Sequence, residues 1–315
     1  IRDLVRSRGL GDVYKRQLLL NPGSALSLNP TAKDDNEAEQ TGINRARLTG
    51  VIIGGSSVYA ATLGGLYLAW YKNNPQSSFH FHDDLHEWLQ MDKGGHMVSS
   101  YYCGMLGYEW LRWAGVDKKR ATWYGGLMGS ALLTTIEILD GFSAEWGASV
   151  SDLAANTMGS AMFISQQLAW DEQRILLKYS YHPTRFAGYR PDVLGSNPIE
   201  RMIKDYNGMT FWLSANPNSF GIENIPAWLN IAVGYGATGM TGGSENISGD
   251  HQGRFIPEYQ RTRQFYFSLD IDLSRIETRS TAMNMVLKAL NVVKIPFPAL
   301  EFNSNKKFRF CPLYF

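Results

Sequence analysis

Residues Met91–Val116 read MDKGGHMVSSYYCGMLGYEWLRWAGV, followed by DKKR (117–120) and by ATWYGGLMGSALLTTIEILDGFSAEWGASVSDLAANTMGSAMFISQQLAW (121–170). These are three apolar, Gly- and Ala-rich runs of helical length, each with a few ionisable or amide groups at one end or on one face. Asp92 and His96 are four apart, Glu137 and Asp140 three apart, and Asp152 and Asn156 four apart, so each pair shares a helix face. Each such group is costly to desolvate unless it is paired. The spacing therefore predicts a buried polar cluster drawn from three helices. Asp92, His96, Glu137 and Asp140 are its candidate reactive groups, and Lys93, Ser151, Asp152 and Asn156 its candidate binding groups. Asp92 also suits the N-terminal end of a helix dipole, and Ser151 is a candidate N-cap for the third helix. His96, one turn into its helix, has no such structural role.

The pattern D-K-x-x-H at 92–96, E-x-x-D at 137–140 and S-D-L-A-A-N-x-x-G at 151–159 resembles the YfiM-like family of uncharacterised, predicted periplasmic envelope proteins. More distantly it is similar to the VanZ-like membrane proteins, which have a D-K-x-x-H helix and a later S/D…N-x-x-G helix. The matching residues are Asp92, Lys93, His96, Glu137, Asp140, Ser151, Asp152, Asn156 and Gly159. The resemblance to the longer members, from Bacteroidetes-type bacteria, extends from about Arg47 to the C-terminus. It implies a location in the bacterial cell envelope, facing the periplasm, and no established mechanism. A lipoprotein carries a cysteine just after its signal peptide, and the first cysteine here is Cys103.

Residues 48–71 (LTGVIIGGSSVYAATLGGLYLAWY) contain no charged side chain, which meets the roughly 20 residues that a membrane-spanning helix requires. Gly54, Ser57, Ala61 and Gly65 form a small-residue stripe suited to close packing, and Trp70 and Tyr71 stand where an interfacial belt would. A buried helix in a soluble bundle is the alternative. Further upstream, Ser7–Gln17 (SRGLGDVYKRQ) resembles a translated sequencing adapter, so residues 1–17 are expected to contribute nothing to the fold. Residues 18–46 read as a signal-peptide remnant and a polar segment, with the native N-terminus lying upstream.

Between the uncharged run and Asp92 lies a connector with His80, His82 and His86 beside Asp83, Asp84 and Glu87. Imidazole and carboxylate suit a divalent metal, which makes the three histidines candidate ligands, but the spacing matches no closed structural site. A solvated loop is the alternative. After Trp170 the residues 171–207 read as a charged connection with a short amphipathic helix. Residues 208–315 turn to alternation: FWLS, WLNIAVGYGATGM and RQFYFSLDIDL read as strands, a helix follows near 279–293, and KKFRFCPLYF closes the chain. In the third of these strands Phe265, Phe267, Leu269 and Ile271 point one way and Gln264, Tyr266, Ser268 and Asp270 the other. Too few strands are legible to close a membrane barrel of eight or more. The expected fold class is α+β: a membrane-associated bundle of about four apolar helices over 47–170, with a smaller antiparallel β part packed on it.

A formal net charge of +1 argues against nucleic-acid binding, which normally shows a basic patch. Two cysteines, Cys103 and Cys311, cannot form a disulfide framework, and whether they pair is left open. No P-loop, G-x-S-x-G or H-E-x-x-H motif is present, and no cofactor is indicated. Two function classes follow. One is a structural or binding protein of the envelope, contacting membrane or envelope lipid, with a protein partner through the C-terminal β region. The other is a membrane-associated hydrolase or transferase in which Asp92 orients His96 as a base and an acidic group binds a head group or cation.

Overall fold

The computed structural model describes residues 42–72, 75–249 and 253–315; the adapter-like run 1–17 and residues 18–41 lie outside the described residues. Helix α1 (Arg45–Leu66) is capped by Asn44, whose side chain accepts from Arg47 N at 3.0 Å, and it continues into π-type turns over Tyr67–Tyr71. Three helices then pack together: α2 (Met91–Trp113), α3 (Lys118–Asp140) and α4 (Val150–Trp170). Among the described residues α1 alone is long and apolar enough to cross a membrane, and none of its residues is buried. The expected bundle of four apolar helices is thus corrected to a packed layer of three plus a peripheral fourth. The physical reason is composition, since charged and amide groups punctuate α2–α4 and are absent from the long run in α1.

Glycine decides which helices meet closely. A Cβ on Gly129 of α3 would lie 2.0 Å from the Ser100 carbonyl oxygen of α2, so the two backbones touch where any side chain would separate them. The small-residue stripe of α1 is not used in this way, because Gly54 and Gly65 face open space. The DKKR segment between α2 and α3 is mostly helix: Asp117 caps α3 by accepting from Arg120 N at 3.0 Å, which places Lys118, Lys119 and Arg120 in its first turn.

Six strands follow, β1 (Ile175–Tyr181), β2 (Met209–Ala215), β3 (Leu229–Thr238), β4 (Thr262–Ile271), β5 (Phe297–Asn303) and β6 (Phe308–Tyr314). They form one antiparallel meander in chain order. The helices followed by an antiparallel sheet make the fold α+β, as expected. Strand β1 lies within the stretch expected to be connection, which also holds the short helices α5 (Phe186–Tyr189), α6 (Pro191–Leu194) and α7 (Pro198–Lys204). Helix α8 (Thr281–Leu290) separates β4 from β5.

The sheet is strongly curled. Lys178 of β1 reaches Asp270 of β4 at 2.8 Å although two strands intervene, and Thr210 of β2 meets the Tyr314 hydroxyl of β6 at 2.9 Å. The segment after α8 closes the free edge of β1, with Tyr179 N donating to Val292 O and Lys294 N donating to Tyr179 O. The register then defines two faces. Lys178, Ser180, Thr210, Trp212, Ser214, Asn230, Ser268 and Asp270 fill the concave side and are buried. Leu177, Tyr179 and Phe211 on the convex side of β1 and β2 pack against α2 in the main core, where a Cβ on Gly94 would meet the Phe211 ring at 2.3 Å. Farther along β2–β6 the convex side is largely apolar, and Leu213, Val233, Phe265, Phe267, Leu300, Phe302, Phe308 and Phe310 are exposed. Cys311 lies buried in the concave cluster and Cys103 in α2; both are free thiols.

Candidate functional site

The polar cluster stands where α2, α3 and α4 meet the connector that follows α1. Three residues ahead of α2 hold left-handed backbone, Trp88, Leu89 and Gln90 (φ 45°, 51° and 64°), a conformation that L side chains adopt rarely. The sheet holds this turn in place: Leu89 O accepts from the Tyr235 hydroxyl at 2.5 Å and from Arg263 at 3.1 Å, and Trp88 N donates to Gly243 O at 2.9 Å. The strained turn sets the direction in which α2 begins, and with it the positions of Asp92, Lys93 and His96.

Lys93 is the hub on one side. Its ammonium lies 2.6 Å from Asp84, 2.8 Å from Asp92 and 2.9 Å from Asp152. Asp84 comes from the connector and accepts from the hydroxyls of Ser149 (2.6 Å) and Ser151 (2.7 Å). The N-cap of α4 is Ser149, which accepts from Asp152 N at 3.0 Å; Ser151, the expected cap, lies inside the helix and turns its hydroxyl to Asp84 instead. His96 is the hub on the other side. Its Nδ1 lies 3.0 Å from Asn156 Oδ1, and its Nε2 lies 3.8 Å from both Glu137 Oε1 and Asp152 Oδ1. An amide oxygen only accepts, so in this arrangement Nδ1 donates to Asn156 and Nε2 faces the two carboxylates. No hydrogen bond joins Asp92 to His96, so the expected Asp92–His96 couple is replaced by Asn156–His96. Asp140 accepts from the Tyr71 hydroxyl at 2.5 Å, and Glu137 from Ser149 N at 3.0 Å.

Five carboxylates (Asp84, Asp92, Glu137, Asp140, Asp152) thus line one cluster with a single lysine, which pairs with three of them. Burial pushes Glu137 up to about 8, with the charges of Asp152, Asp140 and Asp84 adding to the rise. Burial likewise lifts Asp140 and Asp152 to about 6 and raises Asp92. Asp84 goes the other way: burial opposes it, but the hydrogen bonds from Lys93, Ser149 and Ser151 hold it below the ordinary carboxylate range. Asp92 Oδ1 and Asn156 Nδ2 are buried with no hydrogen-bond partner, and the buried Asp152 Oδ1 has only the Lys93 ammonium at 2.9 Å. Two of the three are carboxylate oxygens with lone pairs to offer.

Two sets of side chains could hold a metal ion, each with donor atoms within 4.8 Å of one another: His96, Glu137 and Asp152, and Asp84, Asp92 and Asp152. The histidines expected as possible ligands are in neither set. His80 contacts Ser77, His82 pairs with Glu87 at 3.3 Å, and His86 is exposed. Asp84, Ser149 and Tyr71 belong to the cluster but were not among the candidates. An aspartate beside His-x-His was their one sequence signal, and it pointed to the loop rather than to α2.

The comparisons with known proteins bear on this same segment. A family model described as "Predicted periplasmic lipoprotein (DUF2279)" matches residues 80–166, which span the connector and α2–α4 and include every residue of the cluster except Tyr71. No curated protein and no solved structure matches the chain. The VanZ-like resemblance receives no support from these findings. Cys103, the first cysteine, lies within α2 and is not the attachment point that the word lipoprotein implies. The description agrees with the location read from the sequence: the bacterial cell envelope, facing the periplasm.

Proposed function

We propose that this chain is a membrane-attached envelope protein whose helical layer binds a divalent first-row cation at His96, Glu137 and Asp152. The observation that carries the reading is His96 Nε2 standing 3.8 Å from both Glu137 Oε1 and Asp152 Oδ1, inside a cluster with five carboxylates and one lysine. Metal–ligand bonds of about 2.0–2.2 Å place tetrahedral donors roughly 3.4 Å apart, so a small contraction brings the three onto one ion. Mixed imidazole and carboxylate donors suit Zn²⁺ or Mn²⁺. The Asn156–His96 hydrogen bond supplies the outer contact that orients a ligating imidazole. Attachment is assigned to α1, whose uncharged length buries no residue in the protein.

One observation favours a second, catalytic reading. In the cation-free cluster Glu137, with its proton retained up to about pH 8, would be a proton donor to a bound substrate, as a hydrolase or transferase requires. The first reading is tested by titrating Mn²⁺ and Zn²⁺ calorimetrically into the detergent-solubilised chain after treatment with chelator. One ion per chain is expected, lost in His96→Ala and in Asp152→Asn while helical circular dichroism is kept. Failure of the wild-type chain to bind either ion, or undiminished binding in both variants, overturns it.

A further inference from the structure

The convex side of the sheet carries three rows of side chains that cross the strands without a charge. One row runs Leu213, Val233, Phe267, Leu300, Phe310 over five strands, and every member is exposed. The row beside it runs Phe211, Tyr235, Phe265, Phe302, Phe308; Phe211 is covered by α2 and the last three are exposed. Ile231 and Leu269 continue the pattern toward the next row. The concave side is buried and carries the polar groups: beside the Trp212, Tyr266 and Cys311 cluster, Lys178, Asp270, Ser214 and Asn230 are fully buried and joined to one another.

An antiparallel sheet in water turns its apolar face to the core and its polar face outward. Outside the part that packs on the helical layer, this sheet is inverted. Docking a soluble protein partner would explain an apolar convex face, but it would not require the interior to be polar. A surrounding lipid phase accounts for both at once, since it solvates the apolar side chains and drives charged and hydroxyl groups to the inside. Arg263 is the charge on the convex side of the paired strands, and its guanidinium is spent on Leu89 O, Gln90 and Tyr235 at the turn before α2. Helix α1, apolar and without a buried residue, is a second element that water does not suit.

We infer that the convex face of β2–β6 is a lipid-contacting surface, in touch with the acyl chains of an envelope bilayer. The inference is independent of the cation site. Its test uses the full chain with Cys103→Ser and Cys311→Ser, carrying a single added cysteine at Phe267→Cys or Leu300→Cys, or at Ser248→Cys in the exposed β3–β4 connection. Each is labelled with an environment-sensitive fluorophore and reconstituted into phosphatidylethanolamine/phosphatidylglycerol vesicles. At 267 and 300 the emission is expected to shift to the blue, to fall at least twofold with nitroxide-labelled lipid, and to resist aqueous iodide; at 248 the quenchers exchange roles. Iodide quenching at 267 and 300 equal to that at 248 overturns the inference. So does shielding from both quenchers, which places a second copy or another protein on the face. Unlabelled wild-type chain with a photoactivatable phospholipid gives a reading that needs no substitution. Adducts within residues 229–310 are expected, and adducts confined to α1 overturn the inference as well.

Discussion

Two of the protein's buried ionic networks are built to different rules. In the sheet Lys178 and Asp270 are both fully buried and paired at 2.8 Å. Lys178 also donates to Ile271 O at 2.6 Å, while Asp270 accepts from Ser214 at 2.7 Å and from Ile295 N at 3.2 Å. A second lysine, Lys294, sits over the Trp212 ring; burial pulls it down to about 8, which leaves it mostly protonated near pH 7. In the helical layer five carboxylates stand with one lysine, which reaches three of them, and a buried oxygen of Asp92 has no hydrogen-bond donor. The Lys178–Asp270 pair is matched and saturated, as a device that fixes a fold should be. The helical cluster is neither. Its deficit is one of positive charge, and it lies where the family match lies.

The comparison breaks most readily at Lys178. Lys178→Met leaves Asp270 as a buried charge without its cation and is expected to cost about 3–5 kcal/mol of unfolding free energy, measured by denaturant titration in micelles. A double variant with Asp270→Leu should recover most of that loss, because removing both partners leaves no orphan. A loss under about 1 kcal/mol in the single variant would show that the pair is not saturated in the sense argued.

The helical cluster should respond with the opposite sign. In the metal-free chain Glu137 holds its proton up to about pH 8, against an unfolded value of 4.5. Between those values the folded state binds a proton that the unfolded state has released, so stability is full below about 4.5 and falls as pH rises through 8. Asp140 and Asp152, lifted to about 6 from 3.8, add a loss over that lower window. Glu137→Gln should remove the upper part of the slope and stabilise the metal-free chain at pH 8–9 by roughly 1–3 kcal/mol. Melting curves from pH 5 to 9 check this, and a slope unchanged by the substitution would count against an under-neutralised site.

These differences trace to what a sequence can carry. Helical spacing places Asp92, Glu137 and Asp152 at faces of three apolar runs, and period-two alternation separates Phe267 from Ser268. Alternation says that a strand has two faces, but not which one is inside; here the polar one is. Strand β1 escaped notice because Lys178 interrupts its apolar run, and the partner that makes a buried lysine tolerable lies in β4, far along the chain. Strand β5 was hidden by Pro296 and Pro298, which read as breakers; Pro298 falls at the register shift between Phe297 and Ala299, where a missing N–H is tolerated. The N-cap of α4 was placed two residues late because Ser149 and Ser151 are alike in type. Only the fold shows that the hydroxyl of Ser151 is taken up by Asp84.

Two serine hydroxyls give the finest comparison of the networks. Ser214 donates to Asp270 at 2.7 Å where both side chains are fully buried, and it also accepts from Asn230 at 2.9 Å. Ser151 donates to Asp84 at 2.7 Å, but Asp84 keeps Ser149 at 2.6 Å and Lys93 at 2.6 Å, and its side chain remains 15% exposed. Ser214→Ala removes a bond to a buried charge that no water can replace, so a cost of about 1.5–3 kcal/mol is expected. Ser151→Ala removes one donor of three from a carboxylate that water can reach, and a cost below about 0.5 kcal/mol is expected. Both are read by denaturant titration under identical conditions. Equal costs would mean that Asp84 is as tightly enclosed as Asp270, and the helical cluster would then be a second structural network rather than a site held open to a cation.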